Sequence, residues 1–410
     1  MTASTRTSTT PTRDDFSGRL LRGSVKKSFE PIVDIDWDAP LDPDKFFLPP
    51  KVVSLYGTPM WEAMTRAQQI ELSRQELANT LSAGIWFENI LNQALLRDLM
   101  HADPTSNATH YALTEMGDET RHMVMFGKAI ERLGAKPVQP RRYQRIIINA
   151  LPLTFKGSLL WVAALVGEEI FDSLQRQMMD DPDLQPMVQR LMRIHVTEEA
   201  RHIQFARDGV RRRVQEMPRL NRWWVANLNG VGGPFFQHLF TNPVQYRRVG
   251  LPALEARAQA RRSAHRHRVQ AGGFAPLAAF LEEVGLMGPI ARRMWRRSNF
   301  LPGGAITSSP AEEPTQEGAD EVSDEVYVGP ATLRVADVDH AVRARLTGHL
   351  DPIDGKYHWR GTVFGPLTDD VLKRPEALLT ANGRTAAARI AERTAQGGYA
   401  VTGMGTPPFG

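Results

Sequence analysis

The sequence contains one short pattern twice, and this repeat constrains the fold more than any other feature. Residues 119–122 are Glu-Thr-Arg-His, and residues 199–202, which lie 80 positions later, are Glu-Ala-Arg-His. In an α-helix, positions i and i+3 lie on the same side, about one turn apart. The Glu and the His of each copy can therefore bind the same metal ion. The repeat predicts two facing helices that each offer one Glu and one His to a shared site.

Each copy is preceded, 31 residues upstream, by a glutamate in an apolar setting. Glu88 lies within IWFENIL, and Glu168 lies within LVGEEIF. The equal spacing selects Glu168 over Glu169, which would lie about 100° away around the helix. A buried carboxylate without a partner is costly, and a bound metal ion offsets that cost. We therefore expect one metal-binding glutamate on each of the two partner helices.

A third histidine completes the pattern. His195 precedes Glu199 by four positions and His202 by seven, so the three side chains share one helix face. Its counterpart in the first copy is Glu115. A single Glu-x-x-His is usually surface charge, and a single histidine is more often a hydrogen-bonded core residue, but two matched copies are hard to explain in this way. The candidate ligands are Glu88, Glu119, His122, Glu168, His195, Glu199 and His202. Nitrogen and oxygen ligands without sulfur suit two iron or manganese ions rather than a structural zinc ion.

An acidic residue stands directly before each repeated glutamate. Asp118 and Glu198 each lie four positions before the histidine of their own copy. They are candidates to accept a hydrogen bond from the imidazole on the opposite helix and so to orient it. We expect Arg121 and Arg201 to pair with these acids inside the protein, although an ordinary i,i+3 ion pair on the surface is the alternative.

Hydrophobic periodicity and capping residues predict four long helices. Their predicted spans are about 73–101, 105–134, 155–179 and 186–214. Ser73 and Glu76 have the spacing of a capping box at the start of the first helix. A shift of 80 residues places the first pair of helices on the second. Four long antiparallel helices with short connections form a bundle, and the repeated polar residues should face its interior.

The chain divides into four regions by composition. Residues 1–30 form a tail rich in Thr and Ser that we expect to be disordered. Residues 31–302 form the helical bundle domain, and residues 303–325 are an acidic linker rich in Pro and Gly. Residues 326–410 alternate in the manner of β-strands, with one short helix expected around 385–394. The predicted fold class is an all-α four-helix bundle with additional helices, followed by a small β-rich C-terminal domain.

Composition excludes several classes of function. The chain has no cysteine, which removes disulfides, thiol nucleophiles and Fe–S clusters. No apolar N-terminal segment indicates a signal peptide and no apolar run is long enough for a membrane span, so we expect a cytoplasmic protein. Residues 207–297 contain 17 Arg and 5 acidic residues. A solvated helical face is the favoured interpretation, with docking of an acidic electron-transfer protein as the alternative. Without a recognition motif, we expect no nucleic-acid binding.

The motif as a whole resembles a known family. A Glu, about thirty residues, then Asp/Glu-Glu-x-Arg-His, with the unit repeated, is similar to the pattern of ferritin-like diiron oxygenases of the p-aminobenzoate N-oxygenase family. His195 is a mark of that family. The resemblance implies a ferritin-like fold in which the seven candidate ligands bind two iron ions and O₂ is a co-substrate. It implies oxygenation of a small-molecule amine, electrons from a separate ferredoxin or reductase, and it allows a homodimer. The C-terminal region resembles a small domain of uncharacterised function.

Two other functions remain open. A diiron hydroxylase or desaturase would oxidise carbon on an aliphatic or carrier-bound substrate, and a non-enzymatic bundle would store or sense iron. His195 favours N-oxygenation. Asp172, one turn after Glu168, is expected near the substrate cavity, where its charge would favour an amine over a benzoate, unless it lies on the helix surface.

Overall fold

A computed structural model describes residues 12–140, 142–176, 178–301, 327–350, 357–394 and 396–409. Its helices are α1 (Arg13–Lys26), α2 (Pro31–Asp34), α3 (Pro59–Glu62), α4 (Arg66–Leu99), α5 (Asn107–Arg132), α6 (Arg142–Thr154), α7 (Ser158–Arg176), α8 (Pro186–Glu216), α9 (Arg219–Leu228), α10 (Gly232–Phe240), α11 (Pro243–Arg248), α12 (Ala253–Arg262), α13 (Ala264–Glu283) and α14 (Pro289–Arg297). Its strands are β1 (Tyr327–Val335), β2 (Val338–Leu350), β3 (Tyr357–Phe364), β4 (Glu376–Ala381), β5 (Arg384–Arg393) and β6 (Tyr399–Met404). The N-terminal region is therefore helical and the C-terminal region is built from strands, which confirms the predicted fold class.

The four long helices α4, α5, α7 and α8 pack as two consecutive pairs, α4 with α5 and α7 with α8, around one apolar core. The start of α5 agrees with the sequence prediction, because the Ser106 side chain accepts a hydrogen bond from the Thr109 N–H. Gly134 follows the end of α5 with a φ of 62°, the left-handed conformation in which glycine is favoured. Pro186 opens α8 as predicted. Within the described residues, no helix combines the length and apolarity needed to cross a membrane.

The predicted start of α4 was wrong. The helix begins earlier, where Thr65 and Gln68 form a reciprocal capping box. Ser73 and Glu76, the predicted cap, are buried inside the helix. Their side chains instead accept hydrogen bonds from backbone N–H groups of the segment that precedes the bundle, at 3.1 Å from Phe47 and 2.9 Å from Ser54. Thr65/Gln68 and Ser73/Glu76 both have capping-box spacing. The contacts of Ser73 and Glu76 with the preceding segment explain why the second pair lies inside the helix.

A helix also lies within the predicted disordered tail, so that prediction was wrong for residues 13–26, while residues 1–11 lie outside the described residues. A capping box between Thr12 and Asp15 starts α1. Leu20 is buried in the main core, and α1 packs against α5 and α8. The average polarity of this segment hides an amphipathic helix, whose few apolar residues gain their stability from tertiary contact. The predicted linker, 303–325, also lies outside the described residues.

The C-terminal strands form a closed antiparallel barrel in the order β1-β2-β3-β6-β5-β4. The helix predicted around 385–394 is wrong, because this segment is β5. Its many alanines favour a helix, but Ala386, Ala388 and Ile390 alternate with exposed residues and fill the barrel core. Trp359 is buried in the same core.

The barrel contacts the segment around α2 through polar side chains. Arg345 lies 3.1 Å from an oxygen of Asp36, and Gln396 accepts a hydrogen bond from the Asp36 N–H. Arg190 of α8, which is almost fully buried, donates to Glu392 of the barrel at 3.1 Å and to the Asp34 carbonyl at 2.9 Å. The barrel is thus connected to one of the helices that carry the candidate metal ligands.

Candidate metal centre

All seven predicted ligand residues are buried in the interior of the helical bundle. Their helices are α4 for Glu88, α5 for Glu119 and His122, α7 for Glu168, and α8 for His195, Glu199 and His202. The i,i+3 and i,i+4 spacing of the sequence places each set on the inward face of its helix.

Glu119 and Glu199 lie between the imidazoles of the two copies. The Glu119 carboxylate is 2.8 Å from Nδ1 of His122 through one oxygen and 2.8 Å from Nδ1 of His202 through the other. Glu199 lies 3.4 Å from the nearest nitrogens of three imidazoles, those of His122, His195 and His202. Each repeated glutamate therefore reaches imidazoles from both repeated helices.

These side chains form two groups whose ligand atoms all lie within 4.8 Å of one another. One group comprises His122, His195 and Glu199, and the other comprises Glu119, Glu199 and His202. Glu199 belongs to both groups, so its carboxylate can contact two neighbouring ions.

Glu88 and Glu168 add carboxylates that lack hydrogen-bond partners. Oε1 of Glu88 lies 3.9 Å from Nε2 of His195. Neither Oε2 of Glu88 nor either oxygen of Glu168 has a hydrogen-bond partner among the described residues. Burial, followed by the charges of Glu119 and Glu199, raises the pKa of both carboxyls. Buried, unpartnered carboxylates are what a metal site provides, so the residues present fit a pair of divalent cations.

Burial and the charges of neighbouring side chains also shift the pKa values of Glu119, Glu199 and His195. Although burial opposes ionisation, the charges of His202 and His122 hold the pKa of Glu119 well below its usual range. Burial, followed by the charge of Glu119, raises the pKa of Glu199 to about 7. His195 differs, because burial and then the charge of His122 lower its pKa, which keeps its imidazole neutral and able to bind a metal.

The acids that precede the repeated glutamates reach across to the opposite helix. Glu198 lies 3.0 Å from Nε2 of His122, and Asp118 lies 3.3 Å from Nε2 of His202. Each imidazole thus directs Nδ1 to the carboxylate cluster and Nε2 to an acid of the other repeat. Arg201 is buried and lies 3.5 Å from Asp118, whereas the Arg121 side chain, which also pairs with Asp118, is 31% exposed. The predicted interior ion pair is therefore present for Arg201, whereas Arg121 forms the partly exposed i,i+3 pair that was the alternative.

Two residues that contribute to this region were not predicted from the sequence, and a third was noticed without being given a role. The Phe29 N–H donates to Glu198 at 3.1 Å, and the Ser24 hydroxyl accepts from Nε of Arg201 at 3.0 Å. Glu115, noticed only as the counterpart of His195, is buried with one unpartnered oxygen, and burial raises its pKa to about 8. The 80-residue offset was the signal that could have added it to the candidate set.

A cavity of about 70 Å³ lies further along the same helices, and none of the seven candidate ligands lines it. Leu81, Phe171 and Met192 line it, within one or two helical turns of Glu88, Glu168 and His195 respectively. Asp172 does not line this cavity. Its carboxylate is buried and pairs with Arg176 at 2.7 Å, so its expected influence on the substrate is not supported.

The fold and the site define a class: a four-helix bundle with a buried carboxylate–histidine cluster able to hold metal. The p-aminobenzoate N-oxygenase family matches residues 10–285, so the chain belongs to this family, whose members are ferritin-like diiron enzymes. A domain of unknown function matches residues 324–410.

Two groups of curated relatives correspond to these two regions in length. Uncharacterised proteins of Mycobacterium tuberculosis and Mycobacterium bovis are 30% identical over 291 residues, which cover 68% of this chain and 84% of theirs. Another uncharacterised protein of Mycobacterium bovis is 53% identical over 87 residues, which cover 21% of this chain and 25% of its own. The shorter match equals the C-terminal domain in length.

Proposed function

We propose that the protein is a diiron N-oxygenase that uses O₂ to oxygenate the nitrogen of a small amine to the hydroxylamine or nitro level. The observation that carries this proposal is the buried cluster of four glutamates and three histidines in a chain of the p-aminobenzoate N-oxygenase family. An arylamine or an amine derived from an amino acid is the proposed substrate class.

Two iron ions are the proposed occupants of the cluster. Glu119, Glu199 and His202 would hold one ion, and His122 and His195 would hold the other together with Glu199. Glu88 and Glu168 would complete the two sites, because their unpartnered oxygens face no other cation among the described residues. The bound iron would supply the electrons that activate O₂.

The chain's own residues prepare this site in two ways. Glu198 and Asp118 accept hydrogen bonds from Nε2 of His122 and His202, which directs Nδ1 of both rings to the metal positions and strengthens them as ligands. The apolar side chains in the cavity wall nearest to the ligands would exclude water from the reacting amine.

A separate protein is the proposed electron donor, a ferredoxin or a reductase. The chain has no cysteine for an Fe–S cluster of its own. Arg293, Arg296 and Arg297 are exposed on α14 and make no ion pair among the described residues. This basic surface is complementary to an acidic donor.

Carbon oxidation is the second candidate, because the cavity wall next to the cluster is apolar and would accept an alkyl chain. An iron-binding bundle without catalysis is the third. Product analysis separates the three: iron-loaded, chemically reduced protein is exposed to O₂ with a panel of arylamines, amino-acid amines and fatty acyl substrates.

We expect hydroxylamine or nitro products that carry ¹⁸O from ¹⁸O₂. A hydroxylated or unsaturated carbon chain would favour the second function. Stable binding of iron without any product from the panel would favour the third.

A further inference from the structure

Part of the cavity wall is formed by buried polar side chains, and we call this part the polar end of the cavity. Oε1 of Gln175, Oε1 of Gln245, Nε2 of Gln270 and Nε of Arg266 have no hydrogen-bond partner among the described residues. All four side chains line the cavity and are more than nine-tenths buried. A buried polar group without a partner costs free energy, so four of them around one cavity indicate a bound polar ligand. Together they offer both acceptors and donors.

Among the described residues, the lining of this end contains one cationic side chain, Arg266, and one acidic side chain, Glu76. Burial raises the pKa of the Glu76 carboxyl to about 7, and the nearby charge of Arg266 opposes this rise. Glu76 also accepts hydrogen bonds from Ser54 and from Nε2 of Gln245, and Arg266 donates to the Phe240 carbonyl at 3.2 Å. A ligand carboxylate would therefore place a second buried acidic group beside Glu76, with Arg266 as the single cation in the described cavity lining, and it would face the glutamine acceptors.

We propose that this end of the cavity binds a neutral head group that both donates and accepts hydrogen bonds, such as a carboxamide. The substrate class is then an amine with a neutral polar group at its far end, in preference to one with a carboxylate. The orientation, with the amine toward the metal cluster, rests on the proposed function. The head-group preference rests on the cavity alone.

The spacing along α7 suits a ligand of this shape. Gln175 lies seven residues after Glu168, which is about 10 Å along the helix axis. A ring with an amine and an amide in para positions extends across this distance together with the glutamine side chain. The cavity of about 70 Å³ is smaller than the ~150 Å³ that admits benzene. Met178 and Met192 in its wall must therefore change rotamer, as flexible thioethers readily do.

Binding measurements on the full-length protein test the proposal with three probes: p-aminobenzamide, p-aminobenzoate and aniline. Isothermal titration is performed on iron-loaded protein without reductant and on metal-free protein, so that no turnover is needed. We expect p-aminobenzamide to bind about tenfold or more tightly than p-aminobenzoate, because the buried carboxylate would compete with Glu76 for Arg266, the single cation of the lining that the structure describes.

Two variants locate the head group. Gln175→Met and Gln270→Met keep the volume and remove the polar atoms, and each should weaken p-aminobenzamide by about 2- to 10-fold, the range for one hydrogen bond. Aniline, which lacks the head group, should change by less than about twofold. The matched control is Met178→Leu in the same wall, which should affect aniline and p-aminobenzamide alike.

Three results would overturn the proposal: tighter binding of p-aminobenzoate, equal loss of aniline and p-aminobenzamide in the glutamine variants, or no binding of any probe. The wild-type comparison holds even if a variant fails to fold. Selective binding of p-aminobenzamide without any oxygenated product would refute the proposed function and leave this inference intact. Oxygenation without preference among head groups would do the reverse.

Discussion

Glu199 belongs to both groups of candidate ligands. This shared membership predicts how many metal ions the variants of each group can bind. His202 belongs to one group and His195 to the other. If the cluster holds about two ions per chain, then Glu199→Ala should weaken both positions, whereas His202→Ala should leave the group formed with His195 and His122. We expect about one ion or fewer in His202→Ala and clearly less in Glu199→Ala, and neither should turn over substrate.

The expected loss follows from the distances. The Glu199 carboxylate lies 3.4 Å from nitrogens of three imidazoles, so its removal also leaves these rings without the anion that links them. Glu169→Ala is the matched control, because Glu169 is a buried glutamate of the neighbouring helix that pairs with Arg207, with an Nε–Oε2 distance of 3.2 Å. Its loss removes the same charge without touching either group.

Anaerobic loading with ferrous iron, desalting and colorimetric iron determination per chain measure the outcome. Circular dichroism shows that each variant is folded. The assignment of Glu199 as the shared ligand fails if Glu199→Ala keeps the iron content of the wild type, or if it keeps more iron than His202→Ala. Equal loss in Glu169→Ala would show that the assay reports bundle stability instead of ligation.

Three further predictions concern the surroundings of the site. Because burial raises the pKa of Glu76 to about 7 from its ordinary 4.5, the folded state should lose about 3 kcal/mol as the pH rises from about 4.5 through 7. Glu76→Gln should remove this dependence in urea unfolding measured at about pH 5 and about pH 8. Glu198→Gln should lower iron affinity by about 10- to 100-fold in chelator competition, because the acid that orients His122 loses its charge. Gly167→Ala should lower the free energy of unfolding by about 1–3 kcal/mol in urea, since a methyl group there overlaps the ring of Phe87.

The candidate site was predictable from sequence because helical spacing fixes which side chains share a face. The offset of 80 residues then assigned equivalent positions on two helices. In the structure His195 lies close to Glu88 and Glu199, and the charges of Glu199 and Glu119 act on Glu168. Periodicity could also predict the ends of α5, where Ser106 and Gly134 act through local backbone geometry. These features depend on residues within a few positions of one another.

The errors share one physical origin, which is contact between distant segments. The capping spacing at Ser73 was overridden because that side chain accepts the N–H of Phe47. The alanine-rich segment 384–393 forms β5 because its backbone pairs with β4 and β6 and its alternate side chains are buried in the barrel. Local propensity was not wrong about these residues in isolation; the tertiary partners changed the balance.

The same reasoning explains why the N-terminal contribution to the site could not be predicted. The Phe29 N–H that holds Glu198 is a backbone donor, and every non-proline residue carries one. Only the path of the chain decides which N–H meets a carboxylate 169 positions away. Glu198 in turn contacts Nε2 of His122. The segment after α1 therefore contributes to the site through the position of its backbone and not through the identity of its side chains. The N-terminal segment that composition predicted to be disordered therefore contains a backbone group that helps to orient a candidate ligand.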